Sequence, residues 1–255
     1  MDIDVKTTPG RSTCLSCGRK KERSVMVKHG QHWTCKTCLS GGQATDVPAA
    51  HSKLRVLNLY AGIGGNRALW PGNILVTAVE KDVRVAAAYQ KLYPNDVVIC
   101  ADAHNYLLKH YSKFDFVWSS PPCPSHSRMN FSTTAENKRY VDFTLYQEII
   151  LLQSFCNVKY VVENVIPYYT PLVKPDYQIG RHLFWTNCKL TQCHIPQLDG
   201  FIDMVRVGDK QKIMDWLGIH IEEKLYLSGK NPIQVFRNCV HPKIGLSIFN
   251  DAFGL

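Results

Sequence analysis

Residues 54–65 read LRVLNLYAGIGG. Leu54, Val56, Leu57 and Leu59 make a nearly continuous apolar run of strand length, the pattern of a strand buried on both faces, and the glycines that follow end it in a turn. The next five residues, NRALW (66–70), are expected to open a helix. Outward from this point the chain alternates. NILVTAVEKD (73–82) predicts a second strand, VRVAAAYQKLY (83–93) an amphipathic helix, DVVICAD (96–102) a third strand and AHNYLLKHY (103–111) another helix. FDFVWSS (114–120) predicts a fourth strand, VDFTLYQEIILLQSF (141–155) a long helix and KYVVENV (159–165) a fifth strand. Strand and helix in alternation predict an α/β fold, a doubly wound and mostly parallel sheet.

The remainder departs from that rhythm. From Thr186 to Pro232 one short amphipathic helix is expected in DKQKIMDWLGI (209–219), where Ile213, Trp216 and Leu217 share a face that reads as core. GLSIFNDAFGL (245–255) is apolar enough to return to the sheet. LSGGQATDVPAAHSK (39–53) has no periodicity and reads as a linker.

Ahead of that linker, CLSCGRKKERSVMVKHGQHWTCKTC (14–38) gives CxxC, seventeen residues, then CxxC. Each pair makes a tight turn that aims two sulfurs at one ion, so Cys14, Cys17, Cys35 and Cys38 read as a closed tetrahedral zinc site. Val25, Val27 and Trp33 between them are too few for a separate core, so metal binding is expected to supply much of this segment's folding free energy. His29 and His32 are reserve ligands that four cysteines make unnecessary. Cys188, Cys193 and His194 are an incomplete set and are set aside.

Composition narrows the function. At 255 residues and 45% hydrophobic content the chain can bury one substantial core and a small appendage. The formal net charge of +9, about +7 once four thiolates hold a zinc ion, favours a polyanionic partner. No leader-like segment or membrane-length apolar run is visible, so an intracellular location without membrane association is expected.

The stretch with the most pointed chemistry is DFVWSSPPCPSHSRMNF (115–131), an apolar strand that runs into a proline box around Cys123. Pro121, Pro122 and Pro124 fix their own φ angles and hold their predecessors extended, so the thiol sits on a rigid turn at a strand end. In a doubly wound sheet the strand ends are where ligands bind, and other candidates gather there. Gly62, Gly64 and Gly65 follow the first strand, Glu80 ends the second, where a carboxylate can bind two ribose hydroxyls, and Asp102 ends the third. Each also has a plainer reading as a turn former, a solvated charge or a cap.

Together, NLYAGIGG (58–65), Glu80, Asp102, SPPCPSHS (120–127), ENV (163–165), QIGR (178–181) and QVFRNCV (234–240) resemble the cytosine-C5 DNA methyltransferase family, in that family's order. The resemblance implies a class I, Rossmann-like fold that binds S-adenosylmethionine through Tyr60, Gly62, Gly64, Gly65, Glu80 and Asp102, with Asn238 beside the same pocket. It implies that Cys123 is the nucleophile that adds to C6 of cytosine, because C5 alone is too weak a nucleophile to take a methyl group. Glu163 would contact and help protonate N3, Asn164 would hold the loop carrying the cysteine, and Arg181 would contact O2; Arg181 or a bound substrate would help the thiol ionise. A base in a duplex must be flipped out first, and the loop from Ser125 to Tyr140 is placed to close over it. Ser127, Arg128, Lys138 and Arg139 from that loop, with Lys210 and Lys212 further on, are the expected DNA contacts.

The resulting organisation is a zinc module and linker (1–50), an S-adenosylmethionine-binding catalytic domain (51–185), a small target-recognition region (186–232) and a return to the catalytic domain (233–255). The expected partner is double-stranded DNA, bound by a monomer, in a prokaryotic or phage-infected cell. Several residues depart from the family: Asn58 stands where aspartate is usual, Pro124 and His126 replace glutamine and phenylalanine, Arg237 replaces glycine, and QIGR has one arginine where two are typical. Methylation of cytosine in RNA is the first alternative, and a zinc-dependent nucleic-acid-binding protein without activity is the second.

Overall fold

A computed structural model describes residues 10–14, 20–23, 26–29, 32–36, 53–130, 136, 139–195, 197–201, 209–223, 225 and 233–255. The chain divides into two compact units, Met1–Ser52 and Lys53–Leu255. The expected linker falls at 39–53, of which only residue 53 is among those described.

The described residues of the first unit include two antiparallel strand pairs. Strand β1 (Arg11–Thr13) pairs antiparallel with β2 (Lys20–Glu22), and β3 (Met26–His29) with β4 (His32–Cys35). Strand β1 also lies against β4.

The second unit is built on a seven-stranded sheet. Its strands are β5 (Arg55–Leu59), β6 (Leu75–Glu80), β7 (Val97–Cys100), β8 (Phe116–Ser119), β9 (Lys159–Val165), β10 (Tyr177–Ile179) and β11 (His182–Thr186). They lie in the order β10-β11-β9-β8-β5-β6-β7. The first five strands in sequence are mutually parallel, while β11 runs antiparallel to β9 and β10 antiparallel to β11. The chain builds outward from β5 through β6 to β7, then returns to start β8 on the other side. The order therefore reverses between β5 and β8, and their carboxyl ends flank the crevice where such sheets bind ligands.

Among the described residues the helices longer than one turn are α1 (Val83–Leu92), α2 (Ala103–His110), α3 (Thr144–Phe155), α4 (Asp209–Leu217) and, after the single turn α5 (Gln234–Arg237), α6 (Pro242–Phe253). Alternate residues of the strands feed different layers. Val56, Phe116, Trp118 and Val161 pack with Ile244, Ile248 and Phe249 of α6. Leu57, Leu59, Val117 and Val162 pack with Leu107 of α2 and with Leu145, Ile149 and Leu152 of α3. Burial on both faces is what lets these strands be apolar throughout. Helix α4 buries Ile213 and Leu217 in a third cluster, as its pattern predicts.

The expected helix at 66–70 does not form. Gly64, Arg67 and Trp70 instead donate in succession to the carbonyls of Ala61, Gly64 and Arg67, three residues back each time, and give linked turns. Long-range bonds hold this shape. Buried Arg67 grips Asp96 through Nε (2.9 Å) and Nη2 (3.1 Å), and the Trp70 indole donates to the Gly245 carbonyl of α6 at 3.0 Å. The hairpin β10–β11 was not expected from the sequence; Gly180, at φ +59°, makes its tight turn. Among the described residues no helix is long and apolar enough to cross a membrane.

Candidate active site

Strand β8 ends at Ser119, and the proline box carries the chain to Cys123, whose carbonyl accepts from the amides of His126 (3.0 Å) and Ser127 (2.9 Å). This turn fixes the thiol from one side. From the other, Asn164 Nδ2 donates to the carbonyl of Pro121 at 3.0 Å, so the loop is tied to the neighbouring strand β9.

Glu163, one residue before it, is buried and takes a hydrogen bond from Ser120, whose Oγ itself accepts from the Trp118 indole at 2.9 Å. Burial raises the Glu163 carboxyl to about 7, against the pull of the Ser120 bond and of Arg181. Arg181 follows the hairpin glycine. Its guanidinium lies over the Phe201 ring, 4.5 Å from the centroid, and donates to the Arg237 carbonyl at 2.6 Å.

Cys123, Glu163 and Arg181 act on one another electrostatically. Burial and then the charge of Glu163 push Cys123 above its ordinary value, and the opposing pull of Arg181 and Arg139 does not make up the difference. The resting thiol is therefore protonated, and a neutral Glu163 removes one of the two causes.

Around the crevice, the glycine turn divides into two kinds of position. A Cβ on Gly64 would lie 2.3 Å from Tyr93, and one on Gly65 would lie 2.6 Å from the Cβ of Cys239 and 2.7 Å from the Val240 carbonyl. These two are small because the protein packs there. Gly62, at φ +54°, faces open space, since a Cβ there meets nothing within 4 Å. Its amide donates to Glu80 Oε2 at 3.0 Å, and the Asp82 amide donates to Oε1 at 2.9 Å. Glu80 is thus fixed by backbone while remaining partly accessible. Asp102 caps α2 by accepting from the Asn105 amide at 3.0 Å, and its other oxygen lies 3.6 Å from Lys81 Nζ. Asn238 accepts from Gln234 at 2.6 Å. Buried Asn58 exchanges side-chain hydrogen bonds with Asn66.

Tyr60 carries the one positive φ of a non-glycine residue among those described, +54°. Its hydroxyl donates to Glu148 Oε1 at 2.6 Å; the same carboxylate accepts from Ser119 Oγ (2.5 Å) and meets His104 Nδ1 at 3.0 Å. The fully buried Glu148 on α3 thereby joins the ends of β5 and β8 and the first turn of α2. The sequence gives no warning of this node, because its four members are far apart in the chain.

The expected nucleic-acid contacts are dispersed. Arg128, Arg139 and Lys212 are exposed, and Ser127 is partly buried beside Pro167. Lys210 is already engaged by the carbonyls of Ile221 (2.8 Å) and Glu223 (3.3 Å). Lys138 lies outside the described residues. So do Cys17, Cys38 and the side chain of Cys35; Cys14 is described and buried. Among the described residues no group of three or more His, Cys, Asp or Glu side chains is arranged to hold a metal. A cleft of about 600 Å³ beside α4, lined by Lys210, Gln211, Met214, His220, Ile221 and Glu222, contains none of the strand-end residues.

Known proteins add the following. No curated protein matches the chain. Among solved structures, an S-adenosylmethionine-dependent methyltransferase from Agrobacterium tumefaciens is 16% identical over 48% of this chain and 41% of that one, with a TM-score of 0.35. A variant of DNMT2 from Spodoptera frugiperda is 24% identical over 44% of this chain and 36% of that one, with a TM-score of 0.31. The chain thus aligns with about two fifths of the length of these proteins. Residues 54–167, which run from β5 through the proline box to just beyond β9 and include Cys123, Glu163 and Asn164, match the family described as C-5 cytosine-specific DNA methylase.

Proposed function

We propose that the unit from Lys53 onward is a cytosine-C5 methyltransferase that acts on double-stranded DNA with S-adenosylmethionine as donor. The observation that carries the reading is the convergence of Cys123, Glu163 and Arg181 at the ends of β8, β9 and the β10–β11 turn, inside or beside the segment matched to the methylase family. The residues present fit the donor. Gly62 leaves an open approach to the backbone, and Glu80 is a prepositioned carboxylate able to accept from ribose hydroxyls. When bound, the donor supplies an electrophilic methyl group.

The chain's own residues then have distinct tasks. Cys123, once ionised, adds its sulfur to C6 of the base, and the electron pair of the C5–C6 bond becomes available at C5. Glu163, with a carboxyl near 7, can carry the proton that hydrogen-bonds N3 as negative charge develops in the ring. Arg181 is the cation available to the base's O2. Asn164 keeps the thiol loop in register. After methyl transfer, loss of the C5 proton and re-formation of the C5–C6 double bond expel the sulfur. Arg128 and Arg139, both exposed, suit the phosphates on either side of an extruded base.

We also assign one structural zinc ion to Cys14, Cys17, Cys35 and Cys38. Cys14 directly follows β1, β4 ends at Cys35, and these strands touch, which supports bringing the two CxxC turns together. Elemental analysis of the purified protein should return one zinc per chain.

The function is tested by transfer of labelled methyl from S-adenosylmethionine to duplex DNA and, in parallel, to RNA. Duplex DNA should be labelled, Cys123→Ala should abolish labelling while retaining the fold, and 5-fluorocytosine in the target should trap the protein covalently at Cys123. Preferential labelling of RNA would replace the proposed substrate, and absence of trapping with donor present would overturn the mechanism.

A further inference from the structure

Resting on that reading, we infer that His182 is the positioning residue for Glu163, an uncharged donor that holds the carboxyl in place without drawing off its proton. The two side chains meet through the register of the sheet. Glu163 pairs with Phe184 and Val165 with His182, so His182 and Glu163 are diagonal neighbours on one face. His182 Nε2 lies 3.6 Å from Glu163 Oε1, and both side chains are buried. A shift of about 0.5 Å closes that gap to hydrogen-bond range.

The other ring nitrogen fixes the charge state. His182 Nδ1 is buried and has no partner among the described residues. An imidazolium would present there a charged, orphaned N–H donor, whereas the neutral ring with its hydrogen on Nε2 leaves only an unfilled acceptor. The surrounding charges agree. Arg181 is the charge that acts on the ring, and it reinforces burial in holding His182 well below its ordinary value. Glu163 faces it from β9, and the Cys123 thiol of the proline box and Arg237 of α5 act on Arg181. Glu163 already feels one cation, Arg181. A second at position 182 would favour the carboxylate and remove the proton meant for N3. A neutral donor orients the group and draws on its proton far less than a cation would.

Three variants separate this role from packing. In His182→Gln the neutral donor is kept: the rate of a single methyl-transfer turnover should fall less than ten-fold, with the same high-pH limb. In His182→Arg the high-pH limb should move down by at least one pH unit. In His182→Leu no donor remains, the rate should fall more than in the glutamine variant, and the carboxyl should titrate at higher pH. Carbon-13 NMR of glutamate-labelled protein, with the Glu163 signal assigned by its loss in Glu163→Gln, reads the same titrations without any turnover. A Glu163 midpoint unchanged in both the arginine and leucine variants would overturn the inference, as would identical pH profiles across parent and variants. Should arginine fail to fold in the site, leucine against glutamine decides alone: equal midpoints and equal rates refute it. A parent protein that transfers no methyl group would refute the proposed function, and the NMR titration would still decide the role of His182.

Discussion

Glu163→Gln should stabilise the protein increasingly as pH rises from 4.5 to 8. In the folded state the carboxyl is buried and titrates at about 7 instead of the ordinary 4.5. The folded chain therefore keeps a proton that the unfolded chain releases, and stability falls as pH climbs between those two values. The span corresponds to about 3 kcal/mol, fully present as stability below the unfolded value and lost above the folded one. Glutamine has nearly the same shape and cannot ionise, so it escapes this loss. His182 works in the opposite sense: kept neutral by burial, it costs stability as pH drops below its ordinary 6.5. That contribution largely cancels when variant is compared with parent at each pH. Urea unfolding followed by the buried tryptophans Trp70, Trp118 and Trp185 at pH 4.5, 6, 7 and 8 provides the assay. With a slope of about 2 kcal/mol per molar urea, the midpoint difference should grow by about 1.5 M across the range. A difference between variant and parent that stays flat with pH would show that Glu163 is not a desolvated acid, and the reasoning on His182 would fall with it.

Four other outcomes are expected. Asn164→Ala should lose the tether on Pro121, lowering stability by about 1–2 kcal/mol and the single-turnover rate about 100-fold, as measured by urea unfolding and rapid-quench labelling. Asp96→Ala strands the buried guanidinium of Arg67 and should cost about 3–5 kcal/mol in the same unfolding assay. Gly64→Ala forces a Cβ into Tyr93 at a positive φ and should destabilise by about 1–3 kcal/mol or more, visible as a lowered Tm. Gly62→Ala meets no neighbour, so its backbone strain should cost only about 1 kcal/mol while donor affinity, read by calorimetry, drops much further.

The parallel strands were legible because burial on both faces leaves a plain mark. KYVVENV became β9 residue for residue, and FDFVWSS contains β8. The turns at 66–70 were not legible, because NRALW is compatible with a helix and what prevents one is Asp96 and Gly245, which only the folded chain brings near. The hairpin β10–β11 had a local cue, glycine between two apolar runs, that was read only as part of a motif. Within the site, Cys123 and Glu163 announced themselves by their neighbours in sequence. His182, Ser120 and Glu148 did not, since their meaning lies in register and burial: a histidine beside an arginine says nothing until β11 is laid against β9. The glycines were read as room for a ligand, and two of the three are room for the protein itself.

That packing has a consequence for how the chain matures. Gly65 rests on Cys239 and Val240, the Trp70 indole reaches Gly245, and a Cβ on Gly245 would strike the Asn66 carbonyl at 2.1 Å. The loop after β5 is thus finished by residues about 175 positions downstream, one of the longest closures the topology offers and a slow one. On the proposed function, donor binding should therefore wait until α6 docks, and a cut ahead of α6 should abolish methyl transfer while leaving Cys123, Glu163 and Arg181 intact.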